Sequence, residues 1–375
     1  MSWRDFHRMT LNGRRLSERA LLSEAETVLG QADGEPWKRS VYAFIVEWFS
    51  PSPYIEAKTS GSTGAPKIVK LEKDAMCASA AMTCDYFGLR SGDTILLCLS
   101  ADYIAGKMML VRALVADLDV LLVPPSSNPL KENFTHAVTF SAFVPMQLEA
   151  GLIAAGPDVR ATYARRLSSI DTVIVGGSPM RPELCDVLSR LDCNVYATYG
   201  MTETYSHIAV KRIDREHRRR FFESLPGIHV SKDARDCLVV HAPRLGLDRV
   251  VTNDLVEIED GARFSVLGRI DHVINTGSVK VFPERIERKI SPLFDGRRFF
   301  VFPQPDHELY QRVGLLIEGG PFAEAKTQKL RQSMATYVEP YERPKDIFFL
   351  RNFFETASGK LDRDATIHRL REMTE

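Results

Sequence analysis

The segment Thr59–Lys67, which reads Thr-Ser-Gly-Ser-Thr-Gly-Ala-Pro-Lys, carries the residue types from which proteins build phosphate sites. Gly61 and Gly64 let backbone N–H groups turn toward an anion. The side chains that add hydroxyl donors or a positive charge are Thr59, Ser60, Ser62, Thr63 and Lys67. The spacing is not that of a Walker A loop, because Pro66 stands where that loop has its second glycine. We predict a phosphate-binding loop; the alternative is an ordinary surface turn rich in serine and glycine.

Five further motifs of polar and charged residues follow this loop along the chain. Two of them come directly after predicted buried strands, and ligands of open α/β sheets bind at the carboxyl ends of strands. We therefore expect these two motifs, at 176–179 and 199–203, to line a ligand crevice. They are Gly-Gly-Ser-Pro at 176–179, Tyr-Gly-Met-Thr-Glu at 199–203, Thr-Asn-Asp-Leu-Val-Glu at 252–257, Gly-Arg-Ile-Asp at 268–271 leading into 277–287, and Thr-Ala-Ser-Gly-Lys-Leu-Asp-Arg at 356–363.

The elements that must position these motifs alternate between short β-branched runs and helical patterns up to about residue 200. Such alternation predicts an α/β fold, with mostly parallel sheets covered by helices. Extended residues flank the loop on both sides, at 54–57 and 68–71. Further predicted strands are 94–99, 120–123, 137–140, 172–175 and 194–199, and the predicted helices are 14–31, 37–49, 104–116, 145–155 and 181–191.

The pattern changes after a charged stretch at 211–224. Short strands at 237–241, 250–258 and 263–267, with Asp260-Gly261 as a hairpin turn, predict a small β unit. From about residue 272 a new cycle predicts a small α+β domain. Its predicted helices are 283–290 and 322–336, and its predicted strands are 299–302, 313–317 and 346–350.

Length, charge and cysteine usage exclude several classes of protein. The 375 residues suffice for two or more domains. Because 49 Lys and Arg balance 49 Asp and Glu, a nucleic-acid or membrane-surface partner is not expected. No apolar run approaches the roughly 18 residues of a membrane span, and the N-terminus lacks a signal-peptide core. The six cysteines have no metal-ligand spacing, which favours a reducing compartment, so we predict a cytoplasmic protein.

The ordered set of motifs resembles the adenylate-forming superfamily of acyl-CoA synthetases, peptide-synthetase adenylation domains and firefly luciferase, from about residue 54 to the C-terminus. Enzymes of this family activate a carboxylic acid with ATP to an acyl-adenylate and pass the acyl group to a thiol such as coenzyme A. The resemblance implies ATP, Mg²⁺ and coenzyme A, with a carboxylic acid as substrate. It also implies a shortened AMP-binding domain at 1–270 and a mobile lid at 271–375, with a hinge at Asp271.

The resemblance also assigns roles to single residues. Lys360 would bridge the attacking carboxylate and the α-phosphate, Thr202 would contact that phosphate, and Glu203 would hold Mg²⁺. The full set assigned to ATP is Thr59, Ser60, Gly61, Ser62, Thr63, Gly64, Lys67, Gly176, Gly177, Ser178, Tyr199, Gly200, Thr202, Asp254 and Arg269. Three of the residues given a role have alternatives: Glu203 as a helix-capping carboxylate, Tyr199 as a core side chain, and Arg269 as a surface ion-pair residue.

Two features resemble the o-succinylbenzoate-CoA ligases of menaquinone biosynthesis. Only 58 residues precede Thr59, fewer than in most of the superfamily, and compact members occur among these ligases. They also carry an arginine at the position of Arg112, where a planar guanidinium suits a substrate carboxylate. Gly106 and His207 are further candidates for the acyl site. The alternatives are a surface role for Arg112 and a core role for His207.

Other functions stay open at this point. Tyr103 and Ala105 depart from the histidine and serine of those ligases, so an aryl- or acyl-CoA ligase of another pathway is the first alternative. A non-catalytic nucleotide-binding relative is the second, although Lys67, Glu203 and Lys360 argue against it. A luciferase-like oxygenase is conceivable, but no sequence feature favours it. The charged run at 211–220 is predicted to be solvated, with contact to coenzyme A phosphates as the alternative.

Overall fold

The computed structural model describes residues 2–58, 68–131, 137–215, 221–277, 279–294, 296–356 and 360–374. Its helices are α1 (Glu18–Gly30), α2 (Pro36–Phe49), α3 (Lys73–Phe87), α4 (Ile104–Ala116), α5 (Pro145–Glu149), α6 (Pro157–Ser168), α7 (Pro182–Leu188), α8 (Pro283–Ile290), α9 (Glu324–Met334) and α10 (Arg363–Thr374). The strands up to the middle of the chain are β1 (Arg8–Leu11), β2 (Arg14–Ser17), β3 (Tyr54–Lys58), β4 (Ile68–Glu72), β5 (Thr94–Leu97), β6 (Asp119–Leu122), β7 (Val138–Phe143), β8 (Ile170–Val175), β9 (Asn194–Met201) and β10 (Ser206–Ile213). The later strands are β11 (Phe222–Ser224), β12 (His229–Lys232), β13 (Cys237–Ala242), β14 (Leu247–Asp260), β15 (Arg263–Arg269), β16 (Ile274–Thr276), β17 (Val279–Val281), β18 (Phe299–Asp306), β19 (Tyr310–Glu318) and β20 (Asp346–Leu350).

The predicted α/β class is confirmed. Within the described residues, thirteen strands form one sheet in the order β12-β13-β14-β15-β11-β10-β9-β8-β7-β5-β6-β1-β2. Its β1-β6-β5-β7-β8-β9 half is parallel, whereas the strands from β10 onward pair antiparallel. The small β unit predicted after residue 237 is therefore not separate from the large sheet. It continues that sheet, because β9 and β10 pair antiparallel at the switch between the two halves.

Both faces of the parallel half are covered. Along β5, Ile95 and Leu97 pack into one core cluster with α2, α3 and α4, while Leu96 packs into a second cluster with α5 to α7. Successive side chains of a strand point to opposite faces, so an unbroken apolar run marks a strand buried on both sides. The short apolar strands of the parallel half are buried on both faces, which explains why each appears in the sequence as an unbroken apolar run.

The C-terminal part has its own sheet. Strands β16 to β20 form it, with β17-β16-β19-β18 antiparallel and β20 parallel to β19. One face is covered by α8 and α9 and the other by α10. A 3-10 turn, Ile270–His272, links β15 of the large sheet to β16 of the small one. The division predicted at residue 271 thus falls in the link between the two sheets.

Two polar contacts join the α7 region to the C-terminal part. The Arg181 Nη1 donates to the Gly296 carbonyl oxygen at 3.1 Å, and Ser291 Oγ donates to the Glu183 carboxylate at 3.1 Å. Arg181 is held in place by a bidentate pair with Glu149, at 2.9 and 2.7 Å. These hydrogen bonds help to fix the orientation of the small sheet in this structure.

The predicted helix 14–31 is wrong at its N-terminal end. Residues 14–17 form β2, which pairs with β1, and the helix begins at Glu18. The reason is the Asn12-Gly13 turn, where both residues have positive φ, 51° and 76°. Such a pair closes a two-residue hairpin, and this local signal outweighs the helical spacing of the next residues.

Helix α3 and strand β10 were not predicted. Helix α3 is rich in Ala, Met and Cys and is buried along most of its circumference, so it lacks an amphipathic stripe. Its C-terminal Gly88, with φ of 68°, is a stop signal that sequence reading can use. No helix in the described part of the chain is both long and apolar enough to cross a membrane.

Candidate active site

The phosphate-binding segment predicted at Thr59–Lys67 lies outside the described residues, and this covers Thr59, Ser60, Gly61, Ser62, Thr63, Gly64 and Lys67. Its flanks are described, and β3 pairs antiparallel with β4, from Tyr54 opposite Glu72 to Lys58 opposite Ile68. The predicted strands on both sides of the segment are therefore confirmed. Strand β4 contacts the 3-10 turn Thr202–Thr204, so this hairpin stands beside the Tyr-Gly-Met-Thr-Glu motif.

That turn presents Glu203 to solvent. Thr202 is buried, whereas Glu203 is exposed, and among the described residues no hydrogen bond or ion pair engages its carboxylate. The cap of the turn is made by Thr204, whose Oγ1 accepts from the Met201 backbone N–H at 3.0 Å. The alternative role of Glu203 as a capping group is therefore not what the structure shows. Its free carboxylate oxygens are the kind of ligand that Mg²⁺ takes.

A second group of site residues surrounds Asp254. The Tyr199 hydroxyl donates to Asp254 Oδ2 at 2.6 Å, and Arg269 Nη1 lies 3.7 Å from Asp254 Oδ1. Strands β14 and β15 pair Asp254 directly with Arg269, which accounts for the contact. Burial, followed by the negative charge of Asp254, raises the pKa of Tyr199, so the hydroxyl remains a donor. The carboxylate is thereby oriented with acceptor capacity to spare.

The ring of Tyr199 packs within the protein. Its centroid lies 5.2 Å from that of Phe264, edge-on, and 6.0 Å from that of Phe222. The core role left open for this tyrosine is thus observed, combined with the polar contact of its hydroxyl. Amphipathic tyrosine suits this position, because one end is apolar and the other needs a partner.

The residues around Asp271 form a linked network. Arg269 Nη2 donates to Asp271 Oδ2 at 2.9 Å, and Asn253 Nδ2 donates to the same carboxylate at 3.2 Å. Burial alone would raise the pKa of Asp271, but these hydrogen bonds hold it below its usual value. Arg269 Nε is buried and has no hydrogen-bond partner in the described part of the chain. The ion-pair role left open for Arg269 is thus observed, with Asp254 and Asp271 as its partners.

The Gly-Gly-Ser motif leaves β8 as a tight backbone surface. An added Cβ at Gly176 would lie under 3.0 Å from Thr198 Oγ1, and Gly177 has φ of 92°. Thr198 Oγ1 donates to the Val175 carbonyl at 3.2 Å, which holds the neighbouring strand end in place. Ser178, next in the motif, is exposed. This bare backbone at a carboxyl strand end is suited to a flat ring, so the residues present fit a nucleotide.

Two of the three acyl-site candidates, Arg112 and His207, are in contact, whereas Gly106 packs against Ser100. The side chain of Arg112 is 1% exposed, although a surface position was the alternative, and burial lowers its pKa to about 10. Nη2 donates to Ser206 Oγ at 3.1 Å and to His207 Nδ1 at 3.4 Å, while Nη1 reaches only the Met109 sulfur at 3.6 Å. Its Nε has no partner, and among the described residues no ion pair engages this guanidinium.

A buried and unpaired cation is costly, so its presence requires an explanation. The guanidinium fork matches a carboxylate, and two of its nitrogens still have N–H groups available. Arg112 lies in the interior because helix α4 is apolar on nearly all sides and is buried. The helix also packs closely at Gly106, where an added Cβ would lie under 3.0 Å from the Ser100 carbonyl. Sequence analysis missed Ser206; its place directly before His207 was the available signal.

Two other groups of charged residues have structural contacts. Lys107, on the same helix, lies 3.5 Å from the Glu47 carboxylate, and its Nζ stands 5.1 Å from the Phe44 ring centroid. In the run 211–220, Lys211 belongs to β10 and covers the ring of Phe222 at 4.7 Å, and 216–220 lie outside the described residues.

Lys360 lies between β20 and α10 of the small sheet and is partly buried. Its backbone N–H donates to Thr356 Oγ1 at 3.2 Å, and its carbonyl accepts from the Thr356 N–H at 2.7 Å. Burial lowers the pKa of its ammonium group. Among the described residues, no group of three or more His, Cys, Asp or Glu is placed to hold a metal ion.

Gly200 offers a direct test of this geometry. The residues Tyr205 and Ser206 have positive φ, 55° and 105°, and bring the Ser206 carbonyl so close that an added Cβ at Gly200 would lie under 3.0 Å from it. We expect Gly200→Ala to lower the free energy of unfolding by about 1–3 kcal/mol, measured by chemical denaturation. Gly30→Ala, where an added Cβ meets nothing within 4 Å, is the control and should not destabilise the protein. Equal stabilities would contradict the close approach.

Sequence and structure comparisons identify similar proteins. The model of the family described as AMP-binding enzyme matches residues 53–228. A relative named "Probable 2-succinylbenzoate--CoA ligase" from Mycobacterium tuberculosis is 28% identical over 330 residues, covering 83% of each chain.

Solved structures resemble most of the chain. A protein from Dyadobacter fermentans, described as an acyl-CoA synthetase (AMP-forming)/AMP-acid ligase II-like protein, is 36% identical, with 93% of this chain and 98% of that chain covered and a TM-score of 0.58. The o-succinylbenzoate CoA synthetase from Bacillus subtilis, in complex with its acyl-adenylate intermediate, has a TM-score of 0.69 at 20% identity, covering 82% of this chain and 68% of that chain. At that identity the second likeness concerns the fold.

Proposed function

Because this chain belongs to the family of AMP-binding, adenylate-forming enzymes, we propose that it is an ATP-dependent acid-CoA ligase acting on 2-succinylbenzoate. One carboxylate oxygen attacks the α-phosphorus of ATP, the bond to the β-phosphate oxygen breaks, and pyrophosphate leaves. The sulfur of coenzyme A, after losing its proton, then attacks the acyl carbon, and AMP departs.

The observation that carries the substrate proposal is the buried, unpaired guanidinium of Arg112. A dicarboxylate keeps one free carboxylate after the other has reacted, and a cation inside the protein is the group that recognises it. The relatives named 2-succinylbenzoate--CoA ligase support the same substrate class. A monocarboxylic acid would leave this cation without a partner.

We propose nucleotide contacts for the residues of the second group. Asp254, oriented by Tyr199, accepts hydrogen bonds from the ribose hydroxyls, and Arg269 assists with its remaining donor. The bare backbone at Gly176 and Gly177 lies along the adenine. Glu203 would hold Mg²⁺, which would neutralise part of the phosphate charge when it is bound.

The two sheets have different roles in this proposal. The large domain, 1–270, binds the substrates, and the lid, 271–375, rotates about Asp271 between the two half-reactions. In the adenylating arrangement Lys360 lies between the attacking carboxylate and the α-phosphate, where a point charge on a long stem lowers their mutual repulsion. The link position of Asp271 between β15 and β16 supports the hinge.

A cytoplasmic location forms part of the proposal. All six cysteines lie in the described part of the chain and are free thiols, which fits a reducing compartment. ATP and coenzyme A as co-substrates are consistent with it.

The proposal is tested with a panel of acids, supplied with ATP, Mg²⁺ and coenzyme A. The panel contains 2-succinylbenzoate, its two monoesters, benzoate, and short and long fatty acids. We expect ATP–pyrophosphate exchange and a coenzyme A thioester with 2-succinylbenzoate above the others. A preference for simple aryl or fatty acids would reject the substrate, and the absence of exchange with any acid would indicate a non-catalytic relative.

A further inference from the structure

The environment of Arg112 extends beyond the residues that touch it. On the far side of His207, the Nε2 atom lies 3.4 Å from Thr83 Oγ1, in the C-terminal half of α3. Thr83 Oγ1 in turn lies 3.1 Å from the Ser79 carbonyl oxygen, one turn earlier on the helix. Arg112, His207 and Thr83 are all buried. Three elements distant in sequence, α4, β10 and α3, are thus joined by one line of polar atoms.

The donor and acceptor at each step are fixed by chemistry. An arginine can only donate, so His207 Nδ1 must accept from the guanidinium and cannot carry a proton. A carbonyl can only accept, so the Thr83 hydroxyl gives its proton to Ser79 and presents a lone pair to His207. Both ends of the line therefore require the same neutral imidazole, with its proton on Nε2. Burial, followed by the charge of Arg112, lowers the pKa of His207 well below its usual value, which agrees with a neutral ring.

Ser79, one turn before Thr83 on α3, makes a second contact with the segment that carries His207. Its Oγ donates to the Tyr205 carbonyl at 3.0 Å, two residues before His207. Tyr205 and the next residue, Ser206, have positive φ, so this segment departs from regular strand geometry. Ser206, which follows Tyr205, is the second acceptor of Arg112 Nη2. Ser79 and Thr83 lie one turn apart on α3 and contact the segment 205–207. This turn of α3 thereby holds Ser206 and His207, the two acceptors that orient the guanidinium of Arg112.

We propose that Thr83 is a positioning residue for substrate recognition: it selects the Nε2–H form of His207, which holds the Arg112 guanidinium ready for the free carboxylate of a dicarboxylic acid. The inference rests on the proposed function for the identity of that acid. His207 is accordingly an acceptor for Arg112 rather than a group that contacts the acid. With both Nη2 acceptors supplied by the protein, Nε and Nη1 remain for the substrate.

Thr83→Val removes the lone pair and the hydroxyl while keeping the branched shape, and leaves the buried Nε2–H of His207 without a partner. We expect the KM for 2-succinylbenzoate to rise about tenfold, since a buried donor without a partner is costly and the imidazole no longer holds the guanidinium in place. The kcat and the KM for ATP should stay within about twofold, because the variant acts on acid binding. Thr83→Ser keeps the hydroxyl and should restore wild-type values.

Thr27→Val is a matched control, because Thr27 makes the same hydroxyl contact to a carbonyl one helical turn back, to Ser23 at 3.1 Å, on the exposed face of α1. It should leave all three kinetic constants unchanged. An equal KM for the acid in Thr83→Val and wild type would overturn the positioning role. So would a parallel loss of kcat and of ATP affinity, which indicates a general structural defect.

The tautomer can be read without any substrate. In wild-type protein labelled with ¹⁵N-histidine, the ring nitrogens of His207, assigned from their absence in His207→Asn, should show a protonated Nε2 and an unprotonated Nδ1 near neutral pH. A proton on Nδ1, or a charged ring, would overturn the inference even if Thr83→Val does not fold. If the tautomer is as expected but the enzyme prefers monocarboxylic acids, the proposed substrate fails while the arrangement of Thr83, His207 and Arg112 stands.

Discussion

Lys360→Ala should lower the rate of acyl-adenylate formation by about 10²–10³-fold, the cost of removing one preorganised charge from a developing transition state. The physical reason is that the attacking carboxylate and the α-phosphate are both anions. Lys360, which precedes α10 and whose backbone N–H donates to Thr356 Oγ1, is the cation proposed to lie between them. The measurement is ATP–pyrophosphate exchange with 2-succinylbenzoate, at saturating ATP and Mg²⁺.

The second half-reaction separates this role from a general defect. When the acyl-adenylate is supplied ready-made, thioester formation with coenzyme A should be close to wild type in Lys360→Ala. Lys329 is an exposed lysine on α9, in the same C-terminal part of the chain. Lys329→Ala is therefore the control and should leave both steps unchanged. Burial lowers the pKa of Lys360, so this lysine loses its proton at a lower pH than an exposed lysine does. The rate of wild-type exchange should therefore begin to decline at a correspondingly lower pH. Undiminished exchange in Lys360→Ala would remove the assigned role.

Arg112→Met should lower kcat/KM for 2-succinylbenzoate by about 100-fold, which corresponds to about 3 kcal/mol of lost charge recognition. In one monoester, the carboxylate that Arg112 is proposed to bind is esterified. This monoester should react equally well with the wild type and with Arg112→Met, because it has no charge for Arg112 to bind. Arg165→Met, an exposed arginine on α6, is the control and should keep wild-type selectivity.

Arg112→Met should not destabilise the substrate-free protein. The wild type buries a guanidinium that no ion pair engages among the described residues, and methionine has similar length without the charge. We therefore expect thermal unfolding of Arg112→Met at or above the wild-type temperature. A large drop in stability, with equal losses on the diacid and the monoester, would mean that Arg112 serves the fold and not the substrate.

Much of the architecture followed from local patterns. The bounds of α4 and α8 were predicted to the residue, and both strands flanking the Ser- and Gly-rich segment were predicted, although their pairing was not. Patterns of this kind act over a few residues, since helix faces repeat within two turns and strand faces within two residues. The errors were local too: the Asn12-Gly13 turn replaced the start of α1 by a strand, and uniform burial hid α3.

The sequence by itself determined the fold class and the order of the motifs, because periodicity, turn residues and motif spacing are properties of short windows. Only the tertiary structure decided which residues meet. Arg112 and Ser206 are 94 positions apart, Thr83 and His207 are 124 apart, and Tyr199 and Asp254 are 55 apart. Whether Arg112 faces solvent or the interior depends on what packs around α4, and that environment is assembled from α3 and β10, which only the folded chain brings there.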